Sequence, residues 1–406
     1  MWLILRNPKF RLMWLVILFD EVGVISYFIV SGWLALTLTD SPFWVGATAG
    51  MSGVSLVMGS LFAGVVVDRV DKRKLIIAGQ MAQVALSFTI AFLIFTNHIA
   101  LWHVLAMAFL RGLAASVKIT ATRTMVLDVA GRANLLAANA AVLAADEGVG
   151  ILMPPLVGFV VEKADIGWIY LIMGCAGLTA ALLLSLLRGV ESQRRSERSS
   201  PVHDLKAGLR YVFTTPIVRS LIIMGVIGEV FGWGHYAMLP VMARDVLEVG
   251  PTGLGYLASA GSVGALAASL ILSTKGDINN KGRLMVLGYT GFGGFLMLFA
   301  WSEWFIASLV IFATAHFMGA VWFTVLDTLL QTRVPDALRG RVLSVQSFGF
   351  GLTNTTGFQT GAIAALLGAP VAIAIGAGIV AAHGLRLLKG VSGKFGDQQT
   401  TTVSEK

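Results

Sequence analysis

Apolar residues run in long blocks along this chain, broken by short polar clusters, with neither a sustained 3.6-residue nor a two-residue alternation. A helix that is apolar all round belongs inside a bilayer, and a crossing needs about 20 such residues. Twelve blocks reach that length, at roughly 11–38, 43–67, 74–96, 99–120, 135–161, 166–187, 217–243, 252–274, 283–301, 304–330, 342–367 and 370–388. The expected fold class is therefore an all-α membrane protein with twelve transmembrane helices. The first block is too long for a cleavable signal peptide and lacks a small-residue cleavage site.

The polar breaks carry an orientation signal. With the N-terminus inside, every Lys and Arg of the 30 falls in a cytoplasmic segment except Lys163, Arg244 and Arg111. Both termini are thus expected on the cytoplasmic side. The longest break, Gly189 to Pro216, holds the polar run Glu191 to Ser200. It then holds a short amphipathic pattern of Leu205, Leu209, Val212 and Phe213 beside Lys206 and Arg210. This break divides the chain into an N-terminal bundle over 1–188, a linker over 189–216 and a C-terminal bundle over 217–390. A disordered cytoplasmic tail is expected over 391–406.

An internal repeat supports two equivalent halves. Ser41–Gly79 aligns without gaps to Gly250–Gly288, pairing Pro42 with Pro251, Gly46 with Gly255, Ala49 with Ala258, Asp68 with Asp277 and Lys72 with Lys281. Parallel repeats imply a pseudo-twofold axis along the membrane normal.

Composition agrees: 56% of the 406 residues are hydrophobic and only 13% are charged, about half the charge fraction of a soluble domain. The net charge of +8 sits in short interhelical loops, so it reads as topology and not as a nucleic-acid surface. One cysteine, Cys175, leaves no disulfide frame and no cysteine metal site. HExxH, GxSxG, P-loop and CxxC motifs do not occur.

The break after the second block reads Gly64-Val-Val-Val-Asp68-Arg69-Val-Asp71-Lys72-Arg73-Lys74. It resembles the loop 2–3 signature G-x-x-x-D-R-x-G-R-R/K of the major facilitator superfamily, with Asp71 where that signature usually has Gly. The Asp variant is similar to the subgroup that includes enterobactin exporters and macrolide efflux proteins. In span five, Gly150, Pro154, Pro155 and Gly158 resemble the antiporter signature G-x-x-x-G-P-x-x-G, with Pro154 in place of the central Gly. Gly64, Asp68, Arg69, Arg73, Gly150, Pro154, Pro155 and Gly158 are the expected conformational gate. The resemblance implies two six-helix bundles, export by alternating access, and a cavity lined by spans one, four, seven and ten.

Ionisable residues inside spans are costly and mark functional sites by default. Span one carries Asp20 and Glu21, span four Arg111, span five Asp146 and Glu147, span seven Glu229 and His235, and span ten His316. These eight are the candidate proton and substrate-coupling residues, with Arg111 the natural counter-charge to Asp20 or Glu21. Lys118 lies two turns from Arg111 on the same face, nearer the cytoplasm. Asp327 is expected to pair with Arg333 or Arg339, and Trp233, Tyr236, Trp322 and Phe323 to stack on a ligand, anchor at the membrane interface or pack helices.

The expected function is proton-coupled export of a small organic molecule, a siderophore or similar metabolite. Alternatives are multidrug or macrolide efflux, a lysophospholipid flippase, or a membrane receptor or scaffold without turnover. A membrane enzyme is disfavoured, since no catalytic constellation falls at a water boundary. No cofactor or metal is expected. The expected partners are substrate, protons and the lipid bilayer, for a monomer in the bacterial cytoplasmic (inner) membrane.

Overall fold

The computed structural model describes residues 4–131, 134–187, 209–274, 280–335 and 355–388, with 338, 342 and 353 as isolated positions. Twelve helices are described: α1 Pro8–Thr39, α2 Pro42–Arg69, α3 Lys72–Phe95, α4 Leu101–Ala130, α5 Leu135–Lys163 and α6 Ile166–Leu186. Then come α7 Pro216–Val246, α8 Gly250–Thr274, α9 Lys281–Ala300, α10 Phe305–Arg333, α11 Thr356–Leu367 and α12 Ala369–Leu388. Ten of them pass as membrane spans on length and apolarity. The eleventh span, expected at 342–367, is described as a helix only over Thr356–Leu367. The amphipathic pattern before α7 is helical over 209–214, with Val212 buried and Phe213 exposed. The rest of the linker and the tail 391–406 lie outside the described residues.

Local chemistry sets the helix ends. Asn7 accepts from the backbone N–H of Lys9 at 3.0 Å, and Pro8 fills the first helical position. Asp40 ends α1 in the left-handed region at φ 50°, its N–H returning to the Leu36 carbonyl. Asp71 caps α3 by accepting from Lys74 N at 3.0 Å. That gives the departure from the loop signature a physical reason: a carboxylate caps a helix N-terminus where glycine would cap it weakly.

The helices form two packed sets. In the first, α2 packs on α4, and α3 and α1 pack on α6; in the second, α8 packs on α10, and α9 packs on α10 and α12. The sets meet along two seams, α2 with α11 and α5 with α8. The repeat explains the pairing, because its matched glycines Gly46 and Gly255 sit one in each seam. A Cβ on Gly46 would overlap the Gly357 carbonyl and the Gly361 backbone; one on Gly255 would overlap the Pro154 carbonyl. Side chains facing outward are apolar, as at Leu182, Ile306 and Leu366, and suit a lipid solvent.

α7 is the irregular member. It widens to π-helix over Gly228–Gly232 and again over Met242–Val246, with Pro240 between. π-turns inside α-helices concentrate at functional sites.

Candidate functional site

A cavity of about 320 Å³ lies between the two sets. Tyr27, Phe28 and Ser31 of α1 face it from one side and Trp233 and Tyr236 of α7 from the other, with Thr353 beside them. Trp233 and Tyr236 stack with centroids 5.7 Å apart and planes 8° from parallel. Polar side-chain groups on the lining residues are hydroxyls and the Trp233 indole N–H, and none of these residues is charged.

The end opposite the basic loops is bonded across the sets. Arg244 of α7 reaches Asp40 at the end of α1, Nη1 to Oδ1 2.7 Å, and donates to the Leu36 carbonyl at 3.4 Å. A cation at a helix C-terminus suits the unpaired carbonyls there. Nearer the membrane middle, Ser259 Oγ of α8 donates to the Ile151 carbonyl of α5 at 2.7 Å. Pro155 accounts for this bond. It has no N–H, so the carbonyl four residues earlier, that of Ile151, lacks its helical donor and turns to the neighbouring helix. The expected gate residues of span five thus lie in the α5–α8 seam: a Cβ on Gly158 would overlap Pro251, and one on Gly150 would crowd Ser262 Oγ.

Beside the cavity, toward the basic end, lies a buried charge cluster. Lys118 of α4 is only 3% exposed, and its Nζ donates to Asp20 Oδ1 at 2.5 Å, Gln83 Oε1 at 2.8 Å and Gln80 Oε1 at 3.1 Å. All three ammonium donors are thereby used. Arg111, two turns along α4, donates Nη2 to the Gly23 carbonyl at 3.0 Å and stands 4.5 Å over the Tyr27 ring. Glu21 lies in the field of Asp20, Asp146, Lys118 and Arg111. Asp146 Oδ1 is buried with no hydrogen bond among the described residues, and Glu147 stands near both Asp146 and Tyr236 of the other set.

The ion pair differs from the sequence expectation. Arg111 was the natural partner for Asp20; Lys118 takes that place, and Arg111 instead braces α1 through a carbonyl and a ring. Lys118 reads as a loop-side cation from its position in the chain. The signal that could have found it is the pair Gln80 and Gln83, two amides three residues apart in an otherwise apolar span.

The second set carries two separate polar features. Glu229, in the first π-turn of α7, accepts from Thr353 Oγ1 at 2.5 Å. His235 and His316 meet Nε2 to Nε2 at 3.2 Å, and His235 Nδ1 lies 2.7 Å from the Gly232 carbonyl. A carbonyl only accepts, so His235 carries its proton on Nδ1 and its Nε2 accepts from His316 Nε2–H when both rings are neutral. Phe292, Phe312 and Trp233 surround the pair. The eight candidate coupling residues therefore fall into three places: five in the first-set cluster, Glu229 alone, and the histidines together.

Of the expected gate in loop 2–3, Arg69 is exposed, and Arg73 donates to the Leu184 carbonyl at 3.0 Å and to the Ser185 carbonyl at the end of α6. Lys72 pairs with Asp128 of α4 at 2.6 Å. The surroundings of Gly64 and the side chain of Asp68 lie outside the description. Asp327 accepts from Gln331 at 2.6 Å. Asp40, Ser259 and Thr353 carried no signal in the sequence, and Arg244 stood out only as a basic residue away from the cytoplasmic segments.

Comparison with known proteins places this geometry. Residues 1–399 match the family model described as transmembrane secretion effector. The chain is similar to the enterobactin exporter EntS of Escherichia coli O1:K1 / APEC, 24% identical over 351 residues, covering 86% of this chain and 82% of the exporter. The same figures hold for EntS of Shigella boydii serotype 18. Among solved structures it is similar to the nucleoside transporter NupG, with TM-score 0.71 and 11% identity over 95% of this chain and 99% of that one. It is also similar to a bacterial homologue of the human lysosomal transporter Spinster in an inward-facing, occupied conformation, with TM-score 0.69 and 13% identity over 96% of each chain. At such identities the structural likeness speaks to the fold alone.

Proposed function

Since the chain belongs to the transmembrane secretion effector family of the major facilitator superfamily, we propose that it is a secondary active transporter exporting a small organic molecule of siderophore type in exchange for protons. The observation that carries this reading is the cavity between two repeat-related sets of helices, bonded shut at one end. A binding space closed on one face is what alternating access requires. The name of the curated relatives, enterobactin exporter, supports the direction and the substrate type.

In this reading the units 1–188 and 217–390 rock as rigid bodies in the bacterial inner membrane. The basic end faces the cytoplasm by the distribution of Lys and Arg. The arrangement with Arg244 on Asp40 is then the inward-facing one, loading substrate between the α1 and α7 aromatics. Substrate leaves after the α2–α11 and α5–α8 seams part. Protons entering from outside meet the carboxylates of the first-set cluster, where neutralising Asp20 frees Lys118 and reshapes the contact of α1 with α4. Coupling follows if proton affinity differs between the two arrangements. The apolar walls of the cavity favour a second reading, efflux of a hydrophobic macrolide-type compound.

The test compares culture media of cells with and without the protein by mass spectrometry, then reconstitutes it with the metabolite found. Gradient-driven flux that falls at least tenfold in Asp20→Asn supports the proposal. Flux that ignores the proton gradient, with Asp20, Glu21, Asp146 and Glu147 variants all unchanged, refutes it.

A further inference from the structure

We propose that Glu229 carries a proton in this conformation, forming a second protonation site in the C-terminal set that is read out to the cavity through Thr353. Two acids inside spans contrast, Asp20 half-buried and Glu229 buried. Asp20 has a cation at 2.5 Å, whereas the hydrogen bond described for Glu229 comes from a neutral hydroxyl, Thr353 Oγ1. Glu229 is 5% exposed and lies mid-helix in a span. An ionised carboxylate so placed needs a counter-charge or water; without one it takes up a proton and becomes neutral.

The surroundings supply no such cation among the described residues. The elements packed on the Gly228–Gly232 turn are α12, α9, the first part of α7, α10 through Trp322 and α11 through Gln359. α10 carries Asp327, which accepts from Gln331, and Arg333 in its last turn, and α11 carries no ionisable residue over Thr356–Leu367. Of their ionisable groups, Tyr289 of α9 and His383 of α12 face one another at 3.3 Å, and His235 of α7 is engaged with His316 of α10. Arg219 and Arg244 of α7, Lys281 and Arg283 of α9 and Arg386 of α12 stand near helix ends. Tyr289 and the Trp322 ring close on the adjacent Gly228.

Uptake is simple in its balance. One proton adds to Oε1, Oε2 becomes the carbonyl oxygen, and Thr353 Oγ1 continues to donate to it. Thr353 also lines the substrate cavity, so the acid sits one hydroxyl behind the wall. A ligand or water that draws the Thr353 hydroxyl into the cavity removes the bond to Glu229 and alters its hold on the proton. The π-turn aids this, because its wider backbone offers an alternative register for the side chain. The role in transport rests on the exporter reading; the proton itself does not.

The experiment needs no substrate. Infrared pH-difference spectra of the full chain in lipid, recorded through neutral pH, report the C=O stretch of protonated carboxyl groups. A band present in the native protein, absent in Glu229→Gln and retained in Asp20→Asn, is expected. Thr353→Val should keep the band and move it to higher frequency, since a hydrogen bond to the carbonyl oxygen lowers its stretch. Thermal melting of each variant checks folding. A band unchanged in folded Glu229→Gln overturns the proposal, as does a band unmoved by Thr353→Val for the link to the cavity. Failure of metabolite export with the band behaving as expected would leave this site standing and refute the exporter reading alone.

Discussion

Lys118 shows how a single side chain can organise a membrane interior. Its ammonium is enclosed by one carboxylate and two amide oxygens, a donor set matched to three N–H bonds. Removing one partner of a buried ion pair leaves the other uncompensated, at about 3–5 kcal/mol. Lys118→Met should therefore lower stability by about 3 kcal/mol, and adding Asp20→Asn should restore most of the loss. Thermal melts of the purified single and double variants test this; equal additive losses would mean that the pair is not a unit. Arg111→Lys should also be costly, because lysine reproduces neither the planar stacking on Tyr27 nor the reach to the Gly23 carbonyl. At this scale the chain was partly legible. Buried charges stand out in an apolar sequence, but partner choice depends on side-chain reach across helices, which residue order does not encode.

The α5–α8 seam makes the same point for whole helices. A proline reads from sequence as a kink, and here it also gives away an acceptor. The Ile151 carbonyl, left without a donor by Pro155, is satisfied from α8 by Ser259. Ser259→Ala should cost about 1–3 kcal/mol by leaving that carbonyl buried and unpaired. The same change should cost much less in a Pro155→Ala background, where residue 155 again supplies an N–H. A double-mutant cycle on thermal stability measures the difference, and an equal cost in both backgrounds would refute the assignment. The matched glycines make a related case. Gly46→Val or Gly255→Val puts side-chain atoms where backbone now lies and should hold the seam apart. Cysteine labelling of Ser31→Cys from the end opposite the basic loops should then rise.

For the whole molecule, the repeat and the block pattern made the helix count, the order of elements and the parallel halves readable before any coordinates. The closing of the end opposite the basic loops was not readable. Asp40 and Arg244 lie far apart in the chain in ordinary loop-end positions, and they meet only because the repeat places α1 beside α7. That pair is partly exposed, so it is worth about 0.2–1 kcal/mol and shifts the balance of conformations by no more than about fivefold. Arg244→Ala should produce such a modest shift toward the state open at that end, read from spin-label distances across it. A complete conversion would mean that the latch, and not the glycine seams, sets the resting state.

The charge cluster and the Glu229–Thr353 contact have one feature in common: each has both partners on the same side of the central axis. Swinging one bundle against the other carries both members along together, so the motion by itself neither makes nor breaks either bond. What changes between the two arrangements is the fluid that reaches them. Under the proposed proton exchange, protonation is consequently governed by wetting from the central space, and a ligand that dries that space would act on both sites simultaneously without touching a single charged atom.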